Sequence, residues 1–300
     1  MTSRATESYA MERLSMGRKR IWELDLGRGV FILLMLMDHT FFDIGGLFGA
    51  AWTFSGVQGA RNAVSFAVWY WSLPLRDWVH DAVLWGFLLL AGLSTALTRN
   101  HVLRCAKLGV FAAILTCATV FAQAIGLADD IVIRFGVLHM LALSCLVSGA
   151  IYSVTRHNRL AAVLVPAVLA AVLYLVNVLY LNTHDFAMTP SWLCVFHPNM
   201  GNYFVFTYGD YFPLLGDMSD TVSQLSFPYL GRVLVGTALI PLLYPTKQSL
   251  LPRLEGNWAK PLCWMGRHTI WVVLLHQLLI PLLLALITGW FITPGNYGLW

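Results

Sequence analysis

Long apolar segments, separated by short connections, constrain the fold of this chain more than any other feature. A bilayer-spanning helix needs about 20 mainly apolar residues, and we predict such helices near 24–44, 78–98, 105–126, 132–154, 160–181, 223–244 and 266–290. Only 11% of the residues are charged, against about 25% in a soluble domain. The sequence therefore predicts an all-α polytopic membrane bundle of about seven helices. The sixth is the weakest, because Pro228, Arg232 and Pro241 interrupt it.

The distribution of basic residues predicts the orientation in the membrane. Lys and Arg concentrate in 1–20, 99–107, 155–159 and 245–260, whereas the long connection 182–222 holds four Asp and no Lys or Arg. Basic loops favour the cytoplasmic side of a membrane. We therefore expect a cytoplasmic N-terminus and an outer C-terminus, in the inner membrane if the protein is bacterial.

The chain is expected to form one membrane domain, 20–290, between a disordered cytoplasmic tail, 1–19, and an outer tail, 291–300. Two outer segments are not simple loops. Residues 62–75 are apolar but too short to span, which favours an interfacial helix. Residues 191–216 are aromatic and broken by Pro and Gly, which is typical of a re-entrant or interfacial segment.

The first apolar segment carries charge where a plain anchor would carry none. Ionisable residues at membrane depth are costly and usually functional. Arg28 and His39 are eleven positions apart, about three helical turns, and so share one face, with Asp25 one turn before and Asp43 one turn after. His39 is a candidate general base, oriented by Asp43 or Asp38; a structural histidine bonded to a backbone carbonyl is the alternative.

Arg28 lies near the cytoplasmic end of this helix, roughly 16 Å from His39 at 1.5 Å per residue. A guanidinium can bind phosphate through two parallel hydrogen bonds. The ordinary alternative is a membrane anchor paired with Asp25, and the residues alone favour it.

The other ionisable residues expected at membrane depth are His80 and Asp81 entering the second predicted helix, Arg134 and His139 in the fourth, Arg232 in the sixth, and Arg267 and His276 in the seventh. A lone helical histidine is usually a packing residue, but two or three could ligate haem from facing helices. We expect His39 and His139 towards the outer side and His276 nearer the middle, which weakly disfavours haem. Arg134 is by default part of an ion pair. No metal-site spacing is present, and the five cysteines form no disulfide framework.

The ordered motifs resemble a known family. The sequence resembles the catalytic domain of the heparan-alpha-glucosaminide N-acetyltransferase family, within a superfamily of transmembrane acyltransferases in which an Arg is followed by ten residues and a His. The resemblance is carried by residues 20–29, 39, 42–43, 90–94, 133–139, 210–215, 228–231, 261–269 and 274–277. Two departures are Asp38, where the family often has an aromatic residue, and the intervening segment 216–227.

The resemblance implies a membrane acyltransferase that takes an acyl group, expected to be acetyl, from cytoplasmic acetyl-CoA to a sugar amine or hydroxyl at the outer face. His39 would be the general base or a transient acyl carrier. The other expected site residues are Asp43 and Asp38 beside it, Arg28 and Arg267 for the donor, and Arg134, His139, His276 and Asp210 in the substrate pocket.

The expected partners are the acyl-CoA donor, a glycan or amino-sugar acceptor and the bilayer, with a homodimer as one option and neither nucleic acid nor a metal. Two alternatives stay open: a haem-binding electron carrier, and a transporter whose charged residues line a path. A family member that has kept the fold and lost activity is a third.

Overall fold

The computed structural model describes residues 20–95, 97–98, 100–125, 133, 135–181, 214 and 227–289. Every regular element in these ranges is a helix. Both predicted tails, most of the segment 191–216, and the predicted pocket residues Arg134 and Asp210 lie outside them.

Ten α-helices are found within the described ranges. The first four are α1 (Trp22–Phe42), α2 (Gly49–Phe54), α3 (Gln58–Trp71) and α4 (Pro74–Leu93). They are followed by α5 (His101–Ala124), α6 (Val137–Thr155), α7 (Arg159–Val176), α8 (Tyr229–Leu243), α9 (Lys260–Arg267) and α10 (Thr269–Ile287). Short π-helical segments, Asp43–Leu47 and Asn177–Leu181, extend α1 and α7.

Five of the described helices are long and apolar enough to cross a membrane: α1 with its extension, α5, α6, α7 and α10. The prediction of a helical membrane bundle is therefore confirmed. The count of seven is not, because α4 carries Arg76, Asp77 and Asp81 and α8 has only 15 residues.

The short helix α8 lies at the centre of the bundle, where it packs against α4, α6 and α7. Ten of its residues are buried. Arg232 fits there because its Nε donates to the Phe227 carbonyl at 2.9 Å and its guanidinium faces the Trp85 ring at 4.8 Å. Pro228 precedes the first helical residue, so its missing N–H costs no helical hydrogen bond.

Glycines allow two pairs of helices to approach closely. A Cβ on Gly92 or Gly236 would overlap a backbone carbonyl across the contact between α4 and α8. A Cβ on Gly29 or Gly266 would do the same between α1 and α9. Small residues at helix contacts are typical of membrane bundles. The second contact fixes α9 beside the N-terminal half of α1.

Hydroxyl groups pair inside the bundle, while many apolar side chains are exposed on its surface. Ser148 lies 2.6 Å from Thr237 and 3.5 Å from Thr95 through hydroxyl contacts that join α6, α8 and α4. On α7 the exposed side chains include Leu164 and Val168. An apolar exterior with interhelical hydrogen bonds inside suits a lipid environment.

Helix α3 folds back onto the C-terminal end of α1. Ring centroids of Phe41 and Tyr70 are 4.7 Å apart, and those of Phe42 and Trp71 are 5.5 Å apart. Pro74 then begins α4 at a position where a missing N–H is tolerated. This short return places the end of α3 and the start of α4 beside His39.

Candidate active site

A cavity of about 1630 Å³ runs along one face of α1. Arg28 and His39 both line it, in agreement with their spacing on one helical face. Residues of α4, α5, α6 and α10 form the other walls. Typical small-ligand pockets have volumes of about 300–1,000 Å³, so this cavity can hold more than one small molecule.

Two histidines meet in this region. His39 Nδ1 lies 2.7 Å from His276 Nε2, and the rings are inclined by 20° with centroids 5.0 Å apart. The nitrogens are much closer than the centroids, so the rings meet edge to edge through a hydrogen bond. His276 is buried, with 4% of its surface exposed, whereas His39 keeps an exposed part on the cavity wall.

The hydrogen bonds of the pair assign its protons. His276 Nδ1 lies 3.2 Å from the Val272 carbonyl, which can only accept, so Nδ1 carries the hydrogen. In the neutral ring Nε2 of His276 is then an acceptor. His39 must donate through Nδ1, and its own Nε2 is left as a proton acceptor. A general base needs this tautomer.

The expected difference in depth between His39 and His276 is wrong. The break between α9 and α10 lets α10 pass beside α1, and this places the two rings in contact. The geometry also speaks against these two as axial ligands of one haem. Metal–nitrogen bonds of about 2 Å would separate opposite ligands by about 4 Å, whereas these nitrogens are 2.7 Å apart.

The carboxylates expected to orient His39 make other contacts. Asp38 receives Arg76 Nε at 2.8 Å and Arg76 Nη2 at 2.6 Å, a two-pronged ion pair. Asp43 begins the π-helical segment and is half-buried, and no described side chain hydrogen-bonds its carboxylate. Within the described residues, the side-chain hydrogen bond of the His39 ring is to His276.

Two more residues lie beside Asp38 at this end of the cavity. Tyr70 donates to Asp38 Oδ1 at 3.1 Å, and His80 Nδ1 lies 3.6 Å from Asp38 Oδ2. Both line the cavity. The sequence showed His80 only as a polar residue entering a helix and gave no sign of Tyr70, because the aromatic segment around Tyr70 indicated only an interfacial helix.

The opposite end of the cavity is strongly basic. The described residues that line it include Arg20, Arg28, Arg104, Lys107, Lys247 and Arg267, with a single carboxylate, Asp25, among them. Arg28 Nη1 donates to Asp25 Oδ1 at 2.7 Å, and Arg267 Nε lies 3.9 Å from Asp25 Oδ2. Arg28 Nη2 also bonds Ser94. These contacts hold Arg28 in place and leave a surplus of positive charge facing the cavity.

A loop after α8 is tied to α1 at this basic end. The Glu23 carboxylate accepts from Ser249 Oγ at 2.8 Å and from the Leu250 N–H at 2.6 Å. Tyr244 also approaches it, at 3.5 Å. Burial and the Glu23 carboxylate raise the pKa of Tyr244 to about 12, so its phenol stays protonated and donates. The loop places Lys247 on the cavity wall.

His139, expected in the pocket, makes structural contacts instead. Its Nδ1 accepts the Gly136 N–H at 3.2 Å, and its Nε2 lies 3.4 Å from Thr116 Oγ1. The first contact caps α6, and the second joins α6 to α5. Neighbouring residues of α6 line the cavity, but His139 is not one of the described residues that do. Its position does not support the expected pocket role.

Comparison with known proteins identifies a family. The family model described as "Heparan-alpha-glucosaminide N-acetyltransferase, catalytic" matches residues 20–278, most of the chain. No curated protein and no solved structure gives a significant match. The match implies an acetyltransferase-type transferase in a membrane context, and it lends no support to a homodimer. The chain belongs to the heparan-alpha-glucosaminide N-acetyltransferase catalytic-domain family.

Proposed function

We propose that this protein moves an acyl group, acetyl in the first instance, from cytoplasmic acyl-CoA to a sugar amine or hydroxyl at the outer face of the membrane. The donor would enter the basic end of the cavity, and the acceptor would enter near His39. The cavity joins the two ends, so the acyl group can cross much of the bilayer within one site.

The basic end suits the phosphates of coenzyme A. Arg28 is held by Asp25 and Ser94, and its remaining N–H groups can bind phosphate oxygens. Arg20 and Arg104 are near enough to Arg28 to act on it electrostatically. Binding an anion here would offset the repulsion among these cations. The thioester, at the end of a long flexible arm, would then extend along α1 towards His39.

The chemical step needs a base but no metal. The acceptor oxygen or nitrogen attacks the thioester carbonyl carbon while His39 Nε2 takes the acceptor proton. The C–S bond then breaks, and the proton passes from His39 to the departing thiolate, which leaves as CoA-SH. His276 would hold the His39 ring in the required tautomer and stabilise the imidazolium that forms. A transient acyl-His39 is the alternative sequence of steps, and it uses the same nitrogen.

The His39–His276 hydrogen bond is the observation that carries this proposal. This bond leaves His39 Nε2 as a proton acceptor in a cavity whose far end is cationic. Acyl transfer from acyl-CoA to an alcohol or amine needs both a base for the acceptor and a binding site for the anionic donor. A transporter explains the charged wall but gives no reason for an oriented imidazole. The family match also favours transfer chemistry.

Acetyl-CoA turnover in nanodiscs tests the proposal. The purified protein would be given acetyl-CoA with and without a panel of sugars and amino sugars, with CoA release and acetylated product measured separately. Loss of a positioned base costs about 10²–10⁴-fold in rate, so we expect His39→Ala to abolish measurable transfer while the protein remains folded. Wild-type turnover that persists in His39→Ala contradicts the mechanism.

A further inference from the structure

We propose that Tyr70 and His80 form an acceptor-binding wall that recognises the hydroxyl groups of a polyhydroxylated ring. This inference rests on the proposed function, since it names the residues that select the acceptor. The inference follows from the hydrogen bonds that the residues at the outer end of the cavity already make with one another.

Three hydrogen bonds occupy most of the Asp38 carboxylate. A carboxylate has about four lone-pair sites. Oδ1 takes Arg76 Nε and the Tyr70 hydroxyl, at 2.8 and 3.1 Å. Oδ2 takes Arg76 Nη2 at 2.6 Å and faces His80 Nδ1 at 3.6 Å. The fourth position faces the His80 ring, so Asp38 has little capacity left for a substrate, and its charge is balanced by Arg76.

These contacts fix what Tyr70 and His80 can offer to the cavity. The Tyr70 hydrogen points to Asp38, so its oxygen presents lone pairs. His80 Nδ1 faces the Asp38 carboxylate, which can only accept, so we assign the ring hydrogen to Nδ1, and Nε2 is then an acceptor in the neutral ring. The His80 side chain is 44% exposed. Together with His39 Nε2, three acceptors line one wall.

A wall of acceptors selects a ligand with several donors. Each hydroxyl of a sugar ring carries one O–H donor, so a ring can satisfy Tyr70 and His80 while a third group reaches His39. The two carboxylates among the described cavity-lining residues, Asp25 and Asp38, are both paired with arginines. The described wall is therefore built for hydroxyl groups and provides no free carboxylate for an ammonium group.

The wall also gives Asp38 a role. This residue stands directly before His39, and its four contacts bring α3 and α4 to the outer end of α1. Without the carboxylate, the Tyr70 hydrogen and His80 Nδ1–H would have no described acceptor in place. Asp38 thus acts as a positioning residue for the two groups that would contact the acceptor.

Steady-state kinetics in nanodiscs tests the inference with methyl glucoside, methyl glucosaminide and their monodeoxy analogues as acceptors. Tyr70→Phe removes the oxygen, and His80→Asn keeps an N–H near the Nδ1 position while removing Nε2. His80→Gln restores an acceptor near Nε2. A neutral hydrogen bond contributes about 0.5–1.5 kcal/mol, so Tyr70→Phe and His80→Asn should each raise the acceptor KM about two- to tenfold. The donor KM should not change, and His80→Gln should recover part of the loss.

The deoxy analogues make the assignment specific. One analogue should already have a raised KM with wild-type protein, because it lacks the hydroxyl that pairs with His80. For that analogue, His80→Asn should cause no further increase in KM. His157→Asn, at an exposed position in the turn between α6 and α7, is the matched control. The inference would be overturned if the acceptor KM were unchanged in both Tyr70→Phe and His80→Asn. It would also be overturned if the effect of the variant and the effect of the missing hydroxyl added fully for every analogue. His39-dependent hydrolysis without transfer to either probe would also overturn it, whereas absence of any His39-dependent turnover would contradict the proposed function instead.

Discussion

Removing the imidazole of His276 is the most direct test of how the histidine pair works. In His276→Ala the His39 Nδ1–H loses its acceptor, His276 Nε2, which lies 2.7 Å from His39 Nδ1. The site is shielded from solvent, because only 4% of the His276 surface is exposed. An unsatisfied buried polar group costs about 1–3 kcal/mol. At 1.36 kcal/mol per tenfold, kcat/KM should fall about 5- to 150-fold.

The matched variant is His276→Gln. A glutamine amide can place its carbonyl oxygen near the position of Nε2 and accept the Nδ1–H of His39, whereas alanine cannot. We expect His276→Gln to retain more activity than His276→Ala, with similar donor affinity in both. The assay is acetyl transfer in nanodiscs at saturating acetyl-CoA, with thermal unfolding measured in parallel and His157→Ala as a control in an exposed loop.

Two results would refute this reasoning. A His276→Ala protein with normal thermal stability and kcat/KM within twofold of wild type would show that the pair does not orient the base. Equal losses in His276→Ala and His276→Gln would show that ring volume, and not the hydrogen bond, is what the site requires.

Three further changes follow from the structure. Arg28→Gln should raise the donor KM about 10- to 150-fold, because a hydrogen bond to a charged group contributes about 1.5–3 kcal/mol. An unchanged donor KM would exclude this residue from the donor site. Gly29→Ala should lower the yield of folded protein, because its Cβ would overlap a backbone carbonyl of the facing helix. Gly109→Ala, whose Cβ meets no atom within 4 Å, should fold normally. Equal yields of the two variants in size-exclusion chromatography would contradict the close helix contact. Asp38→Asn should reduce stability by about 3 kcal/mol, since Arg76, whose side chain is only 10% exposed, would keep only the 53% exposed Asp77 as an ionic partner. Asp77→Asn, the control, should change the unfolding temperature little.

Hydropathy was sufficient to place most of the helices. The predicted spans overlap α1, α4, α5, α6, α7, α8 and α10, because apolar runs of membrane length have few alternatives to a helix. The prediction of a helix over 62–75 also agrees with α3, Gln58–Trp71, shifted by a few residues. The short helices α2 and α9 were not predicted, since they are too short to give a hydropathy signal.

The spacing within one helix was also informative. Arg28 and His39 share a face because three helical turns separate them, and both line the cavity. The order of the motifs was enough to identify the family, which the family model confirms. Such local features depend only on neighbouring residues, so a single chain shows them without any knowledge of tertiary contacts.

Contacts between distant parts of the chain were decided only by the tertiary structure. Sequence neighbours suggested Asp38 or Asp43 as the partner of His39, but the described partner is His276, 237 positions away. The Asp38–Arg76 pair likewise depends on how α3 returns the chain to α1. Periodicity tells which face a side chain occupies, but the depth at which two helices meet depends on their packing. Glycine contacts and the break before α10 set that depth, and so it is the packing that turned two isolated histidines into a pair.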